Sequence, residues 1–189
     1  GTSISTMGPK KALDAITANV ENENLIGHML ATEAVMRALA RRLGQDEEAW
    51  GLTGLLHDID VELTEGDMEA HSRLGADIAR DLGASEEVAQ AILCHNWTHG
   101  IPCETLLDKA LLCTDPLTGL IVAGALVPPE GRLAGLPTQS LMKRFAEPRF
   151  AAGASREQIA ACSELGLELE EFIGLGLEAM KDIAADMGL

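Results

Sequence analysis

The sequence predicts an all-α fold, a helical bundle made by a single domain over residues 1–189. Three features carry that prediction. Apolar residues make up 47% of the chain and are mostly Leu and Ala, which favour helices, while aromatics are only 3% and Tyr is absent. Apolar residues recur at helical spacing, as at Leu13, Ile16 and Val20. Residues suited to starting or ending helices, among them Gly44, Asp46, Gly83, Ser85 and Gly166, punctuate the pattern at intervals of a helix length. A chain of 189 residues is long enough to bury a substantial core.

In order along the chain, Lys10 to Val20 reads as a helix with Pro9 just ahead of it. A second runs from about Asn24 to Leu43 and stops at Gly44, with His28 in its first turns. Asp46 caps a third, Glu47 to Asp58, whose acidic first turn suits the helix dipole and whose far end delivers His57-Asp58. Asp60 to Gly66 reads as a loop. Asp67 is placed to cap a helix to Leu82, with His71 early in it and Gly83 closing it. Ser85 opens a short helix through His95 that breaks up between Asn96 and Pro102. The stretch from Leu106 to Val122 is apolar on every side and belongs in the middle of a bundle, which predicts a buried Asp115. Pro and Gly mark a loop over 128–137, and Pro137 starts a short helix through Leu141 and Phe145. Ser155 and Gln158 make a capping-box pattern ahead of Ile159, Gly166 ends that helix, and Leu167 to Met187 reads as a long amphipathic C-terminal helix.

The charge balance, 14 Lys+Arg against 30 Asp+Glu, leaves −16. Such a surface repels duplex nucleic acid and anionic membranes, but it permits a small phosphorylated ligand where a cation neutralises the site locally. Cys94, Cys103, Cys113 and Cys162 form no CxxC pair or regular framework, so reduced and mostly buried thiols are expected. No apolar run reads as a membrane span, and Gly1 to Met7 lacks a leader pattern. A cytoplasmic protein is the expectation, and its apolar helices permit a homodimer.

The chemistry centres on Gly54-Leu55-Leu56-His57-Asp58, where an imidazole and a carboxylate follow an apolar run. Two ionisable groups are costly there unless something pairs with them, and a metal ion is the natural partner. His28 and Asp115 are also metal-competent side chains in apolar helical settings. Three or four nitrogen and oxygen ligands suit a catalytic divalent ion, whereas closed structural zinc sites favour Cys.

The order H, then HD, then D in an all-helical chain resembles the HD-domain superfamily of metal-dependent phosphohydrolases. The likeness is strongest at Leu55 to Asp60 and Thr114 to Leu120, and Leu169 to Ile173 extends it to a group of small bacterial HD-domain proteins. The resemblance implies a metal-site core over about 24–127, with C-terminal helices over about 137–187. It implies His28, His57, Asp58 and Asp115 as ligands of a first divalent ion, with His71 and His95 adding a second and Asp58 bridging the two. One or two ions per chain follow, among Fe, Mn, Ni, Zn and Mg, with transition metals suiting a His-rich site. The implied reaction is hydrolysis of a phosphoester or phosphoanhydride in a small molecule, a nucleotide by preference. An inactive metal-binding domain that senses a nucleotide or mediates assembly is the alternative. Val61 stands where some branches carry Lys, and Asn96 where others carry a second His.

Further candidates surround this set. His99, in the broken stretch, is a candidate proton donor at the pocket mouth. Asn96 and Thr118 are candidate substrate contacts, as are Lys143 and Arg144, which with Arg149 form a basic cluster around Phe145. For that cluster a charged helix face is the competing explanation. Asp60 and Glu62 read as solvated loop carboxylates, with the alternative that Asp60 orients a ligand His from behind. Cys94 and Cys113 read as core residues, Trp50 as a packing anchor and Trp97 as a loop aromatic close enough to His95 to line a pocket.

Overall fold

A computed structural model describes residues 9–189, so the reading of Gly1 to Met7 lies outside the described residues. The described chain is helices, turns and loops, with no strand. Its elements are α1 (Pro9–Asn19), α2 (Glu23–Leu43), α3 (Glu47–Leu56), α4 (Val61–Thr64), α5 (Arg73–Asp81), α6 (Glu86–His95), α7 (Leu106–Leu126), α8 (Thr138–Phe145), α9 (Arg156–Ala160) and α10 (Leu169–Asp182). Short 3-10 turns at Trp97–His99, Ala161–Leu165 and Ala184–Met187 complete it.

Local chemistry explains most of the boundaries. The Asn22 side chain accepts from the Asn24 and Leu25 amides to start α2, and Gly44, left-handed at φ 67°, stops it. Asp46 accepts from Ala49 N to start α3, and Ser85 from Val88 N to start α6. A reciprocal box between Thr105 and Asp108 starts α7. Ser155 Oγ caps α9 through Gln158 N at 3.1 Å.

Four boundaries differ from the sequence reading. Helix α3 ends at Leu56, so His57 and Asp58 lie in the turn just beyond it. The expected loop over 60–66 contains the single-turn α4, closed by Glu65 and Gly66 at positive φ. Asp67 caps only a turn, through Glu69 N and Ala70 N, and α5 begins at Arg73. The cause is Asp60, whose carboxylate holds the Ser72 and Gly75 amides at 2.6 and 2.8 Å and bends the chain around itself, with Ser72 forced to φ 69°. The C-terminal helix stops at Asp182, turns at Ile183, and folds back so that Leu189 O accepts from Leu133 N at 3.4 Å.

Helix α7 is the axis of the core and packs on α2, α6, α8, α9 and α10. Leu107, Leu111, Leu117, Leu120 and Ile121 are fully or almost fully buried along it. By length and composition α7 is also the one helix among the described residues that could cross a bilayer, contrary to the expectation that no run reaches that length; here its apolar side chains fill the bundle core. Trp50 is 3% exposed, as expected of a packing anchor. Cys94, Cys113 and Cys162 are buried, and half-buried Cys103 directs its thiol at Cys94 Sγ, 2.9 Å away.

Helices α2 and α3 cross with their backbones close together at Gly54. A Cβ on Gly54 would stand 2.7 Å from Thr32 O and 2.9 Å from Glu33 N, backbone atoms that cannot swing away. This contact sets His57 against His28. Gly54→Ala therefore loses about 3 kcal/mol of stability by overpacking, against the roughly 1 kcal/mol that the same change contributes in an unobstructed helix. The midpoint of urea unfolding measures it; an unchanged or raised midpoint would show that the helices separate freely.

Candidate metal centre

Six side chains from five segments converge near the end of α3. His28 comes from α2, His57 and Asp58 from the turn after α3, His71 from the turn before α5, His95 from the last residue of α6, and Asp115 from the middle of α7. His57 is completely buried. Asp115 is not buried as expected: its side chain is 33% exposed, because it faces a cavity mouth instead of the aliphatic core. The buried aspartate of α7 is Asp108, consumed by its capping box.

Every one of the four histidines has its Nδ1 occupied. His57 Nδ1 donates to Gly54 O at 2.7 Å and His95 Nδ1 to Ile92 O, each using a last-turn carbonyl that has no helical donor. His71 Nδ1 donates to Asp60 Oδ1 at 2.6 Å. His28 Nδ1 donates to Thr118 Oγ1 at 3.0 Å, whose own proton goes to Asp115 O at 2.9 Å. With Nδ1 committed, each neutral ring presents a lone pair at Nε2.

Those Nε2 atoms gather on the two oxygens of Asp58. His28 and His57 lie 3.3 and 3.1 Å from Oδ2, and His71 and His95 lie 3.6 and 3.3 Å from Oδ1. Asp115 Oδ1 completes the first group, 2.8 Å from His28 Nε2 and 3.4 Å from His57 Nε2, and the two Nε2 atoms are 3.1 Å apart. Ligands bound to a divalent ion at about 2.0–2.1 Å lie about 3.0 Å apart at octahedral corners and about 3.4 Å at tetrahedral ones. The residues present fit a cation: His28, His57, Asp58 and Asp115 as one group, Asp58, His71 and His95 as another. The second group has fewer protein ligands and the longer separations.

In the protein without metal, protons occupy this place. Burial opposes charging of His28, but the adjoining Asp115 and Asp58 carboxylates outweigh it and push its pKa up to about 9. Burial likewise opposes charging of His57, and Asp58 and Asp115 together hold it well above the ordinary imidazole value. Burial would raise both carboxyls, yet the His57 and His28 rings hold Asp58 and Asp115 well below the usual range. Burial at His71 is outweighed by Asp60, which raises it.

A pH dependence follows. Ligation needs neutral imidazole, so a metal must displace the His28 proton at any pH below about 9. Apparent metal affinity rises by up to about tenfold per pH unit for each proton displaced between pH 7 and 9, with proton release detectable in weakly buffered solution. Chelator-buffered titrations check it, and an affinity flat over that range would contradict the proton-holding arrangement. For folding of the metal-free protein the sign reverses. The raised His28 contributes stability fully present below pH 6.5 and lost as pH rises through about 9. The lowered carboxyls contribute above their ordinary value of 3.8, and that contribution is lost on acidification.

The remaining candidates are placed as follows. Thr118 is buried and sets the His28 tautomer, and with His28 it stands on the wall of a further cavity of about 570 Å³. Asn96 is buried, and its amide nitrogen donates to Met68 O and His71 O at 2.8 and 3.0 Å while its oxygen accepts from Thr98. It braces the wall of the cavity and has little left for substrate. His99 directs Nε2 inward to His71 O and Ser72 Oγ, at 2.8 and 3.1 Å. Lys143 is exposed on α8, and Arg144 is paired with Glu147 at 3.1 Å and stacked over Phe150. Arg144 borders a cavity of about 470 Å³ that shares no residue with the ligand cluster. Asp60 is fully buried, which corrects its reading as a solvated carboxylate and matches the alternative role behind His71.

Arg156 escaped notice in the sequence. Its guanidinium donates to the carbonyls of Phe145, Ala151, Ala154, Arg144 and Glu147 at 2.9–3.1 Å, and to that of Phe150. It ties down the loop over 146–155, which forms one wall of a cavity of about 520 Å³. A second cavity, of about 310 Å³, has Asp58, His71 and His95 on its wall. His95, Trp97 and Asp115 line both.

The HD domain family model matches residues 25–121, just over half of the chain, and that stretch contains all six converging residues. The chain belongs to the HD-domain family. Among curated proteins it is 30% identical to a ribonuclease Y of Oleidesulfovibrio alaskensis over 98 residues, 52% of this chain and 18% of that one. A ribonuclease Y of Thermobifida fusca is 35% identical over 89 residues, 47% of this chain and 18% of that one. One of a Sulfurovum species is 26% identical over 165 residues, 85% of this chain and 32% of that one. The chain thus spans under a third of the length of these relatives. No solved structure matches.

Proposed function

We propose that this chain is a metal-dependent phosphohydrolase that cleaves a phosphoester or phosphoanhydride bond in a small molecule, a nucleotide by preference, with two divalent ions sharing Asp58. The observation that supports it is the convergence of four tautomer-fixed histidines on the two oxygens of one carboxylate. Bound there, the ions would supply Lewis acidity toward phosphoryl oxygens and lower the pKa of a water. The chain's part is to hold that place rigid. Gly54 O, Ile92 O, Asp60 and Thr118 fix the ring orientations, and Asp115, one-third exposed, opens the first group toward the cavities. The histidine content favours iron, manganese, nickel or zinc over magnesium.

RNA is a second reading, favoured by the name of the relatives. A net charge of −16 and cavity walls without Lys or Arg weigh against a polyanion. The test is elemental analysis, followed by assay of the metal-loaded protein against a generic phosphomonoester, a phosphodiester, a nucleotide panel and a short RNA. Turnover of nucleotides above RNA is expected. Nucleotide binding without turnover of any substrate would turn the reading to the nucleotide-sensing alternative.

A further inference from the structure

Trp97 is the most exposed large apolar side chain among the described residues, at 72%, in a chain with two Trp, three Phe and no Tyr. It lines two of the cavities that border the ligand cluster, beside His95 and Asp115. Met68, itself 46% exposed, stands on the rim of the smaller cavity with it. An aromatic face left in water beside a ligand cluster is unusual unless something planar covers it. The turn that carries it is not loose. On one side Asn96 donates to Met68 O and His71 O, and on the other His99 holds His71 O and Ser72 Oγ. The turn that carries the indole is therefore held in place relative to the segment that carries His71, and a ligand stacking there need not order the backbone.

The walls also limit charge. Neither cavity is lined by Lys or Arg. Asp58, Asp115 and the nearby buried Asp60 offset most of the charge an ion pair would bring, so nothing remains to neutralise a second or third phosphoryl group. We propose that Trp97 is the stacking platform for the base of a nucleotide that carries a single phosphoryl group, either a nucleoside monophosphate or a phosphodiester, whose phosphoryl end reaches the Asp58 cluster. The proposal rests on the hydrolase reading and narrows its substrate class.

The test compares AMP, ATP and ribose 5-phosphate on wild type, Trp97→Ala and Trp97→Phe, with Mn2+ for turnover and Zn2+, which does not quench indole, for fluorescence. Because Trp50 is buried, quenching by a soluble ligand reports on Trp97. AMP is expected to quench wild-type emission saturably and Trp97→Phe emission not at all. Trp97→Ala raises KM for AMP at least tenfold with kcat within about twofold, Trp97→Phe restores most of it, and ribose 5-phosphate is indifferent to both. ATP binds no more tightly than AMP. Equal losses for AMP and ribose 5-phosphate, or no quenching at saturating AMP, overturn the platform while turnover leaves the hydrolase reading standing. Saturable quenching with no turnover of any substrate does the reverse.

Discussion

If the chain is the two-ion phosphohydrolase proposed above, Asp58→Ala is expected to abolish metal binding at both ligand groups and to reduce phosphoester hydrolysis by about 10⁴-fold, roughly 5.5 kcal/mol of transition-state stabilisation. The expectation rests on the position of this carboxylate. Its Oδ2 faces His28 and His57, its Oδ1 faces His71 and His95, and no other side chain belongs to both groups. Removing it takes away a shared ligand and the charge that draws a cation into a buried setting. His71→Ala is the informative companion, because it leaves His28, His57, Asp58 and Asp115 in place. Elemental analysis should then give close to two ions per chain for wild type, about one for His71→Ala and little for Asp58→Ala. Unchanged metal content in His71→Ala would eliminate the two-ion arrangement, and unchanged content in Asp58→Ala would eliminate the site. The fold should survive both changes, since the core of α2, α3 and α7 does not depend on them.

Four of the converging residues, His28, His57, Asp58 and Asp115, were legible because a histidine or aspartate in an aliphatic helix needs a reason to be there, whereas His71 and His95 were reached only through the family resemblance. The helix starts at Ser85 and Ser155 and the stop at Gly44 were legible because a cap acts within a few residues of itself. What could not be read were the partners behind the ligands. Asp60 lies in a polar stretch that looks solvated, and only the fold brings it against the Ser72 and Gly75 amides. Thr118 and His28 are ninety positions apart, so their hydrogen bond leaves no local trace. Two partners did have a local signal. His57 and His95 each donate to the carbonyl three residues earlier, and a histidine just at or past the end of a helix is placed to do so. The boundary expected at Asp67 fails for the same reason as Asp60, because a buried contact from elsewhere decided where the helix could begin.

The partner behind His71 makes a sharp prediction, because Asp60→Asn alters one proton position and almost no volume. The carboxylate accepts three hydrogen bonds, from His71 Nδ1, Ser72 N and Gly75 N. An asparagine can turn its oxygen to the two amides, which are both held by Oδ2 in the wild type, but then its NH2 faces His71 Nδ1. Two donors cannot meet, so His71 must move its proton to Nε2 and accept at Nδ1. That proton lies where the ring would otherwise offer a lone pair beside Asp58, 3.6 Å away. The second ion should therefore bind about 10–100-fold more weakly, while the first group is untouched. The loss of charge-assisted bonds in a fully buried place costs about 2 kcal/mol of folding stability, and Asp60→Ala, which orphans three donors, costs about 4 kcal/mol. Metal titration with urea unfolding separates the two effects. Full two-ion binding in Asp60→Asn would mean that the tautomer of His71 is set by something other than Asp60.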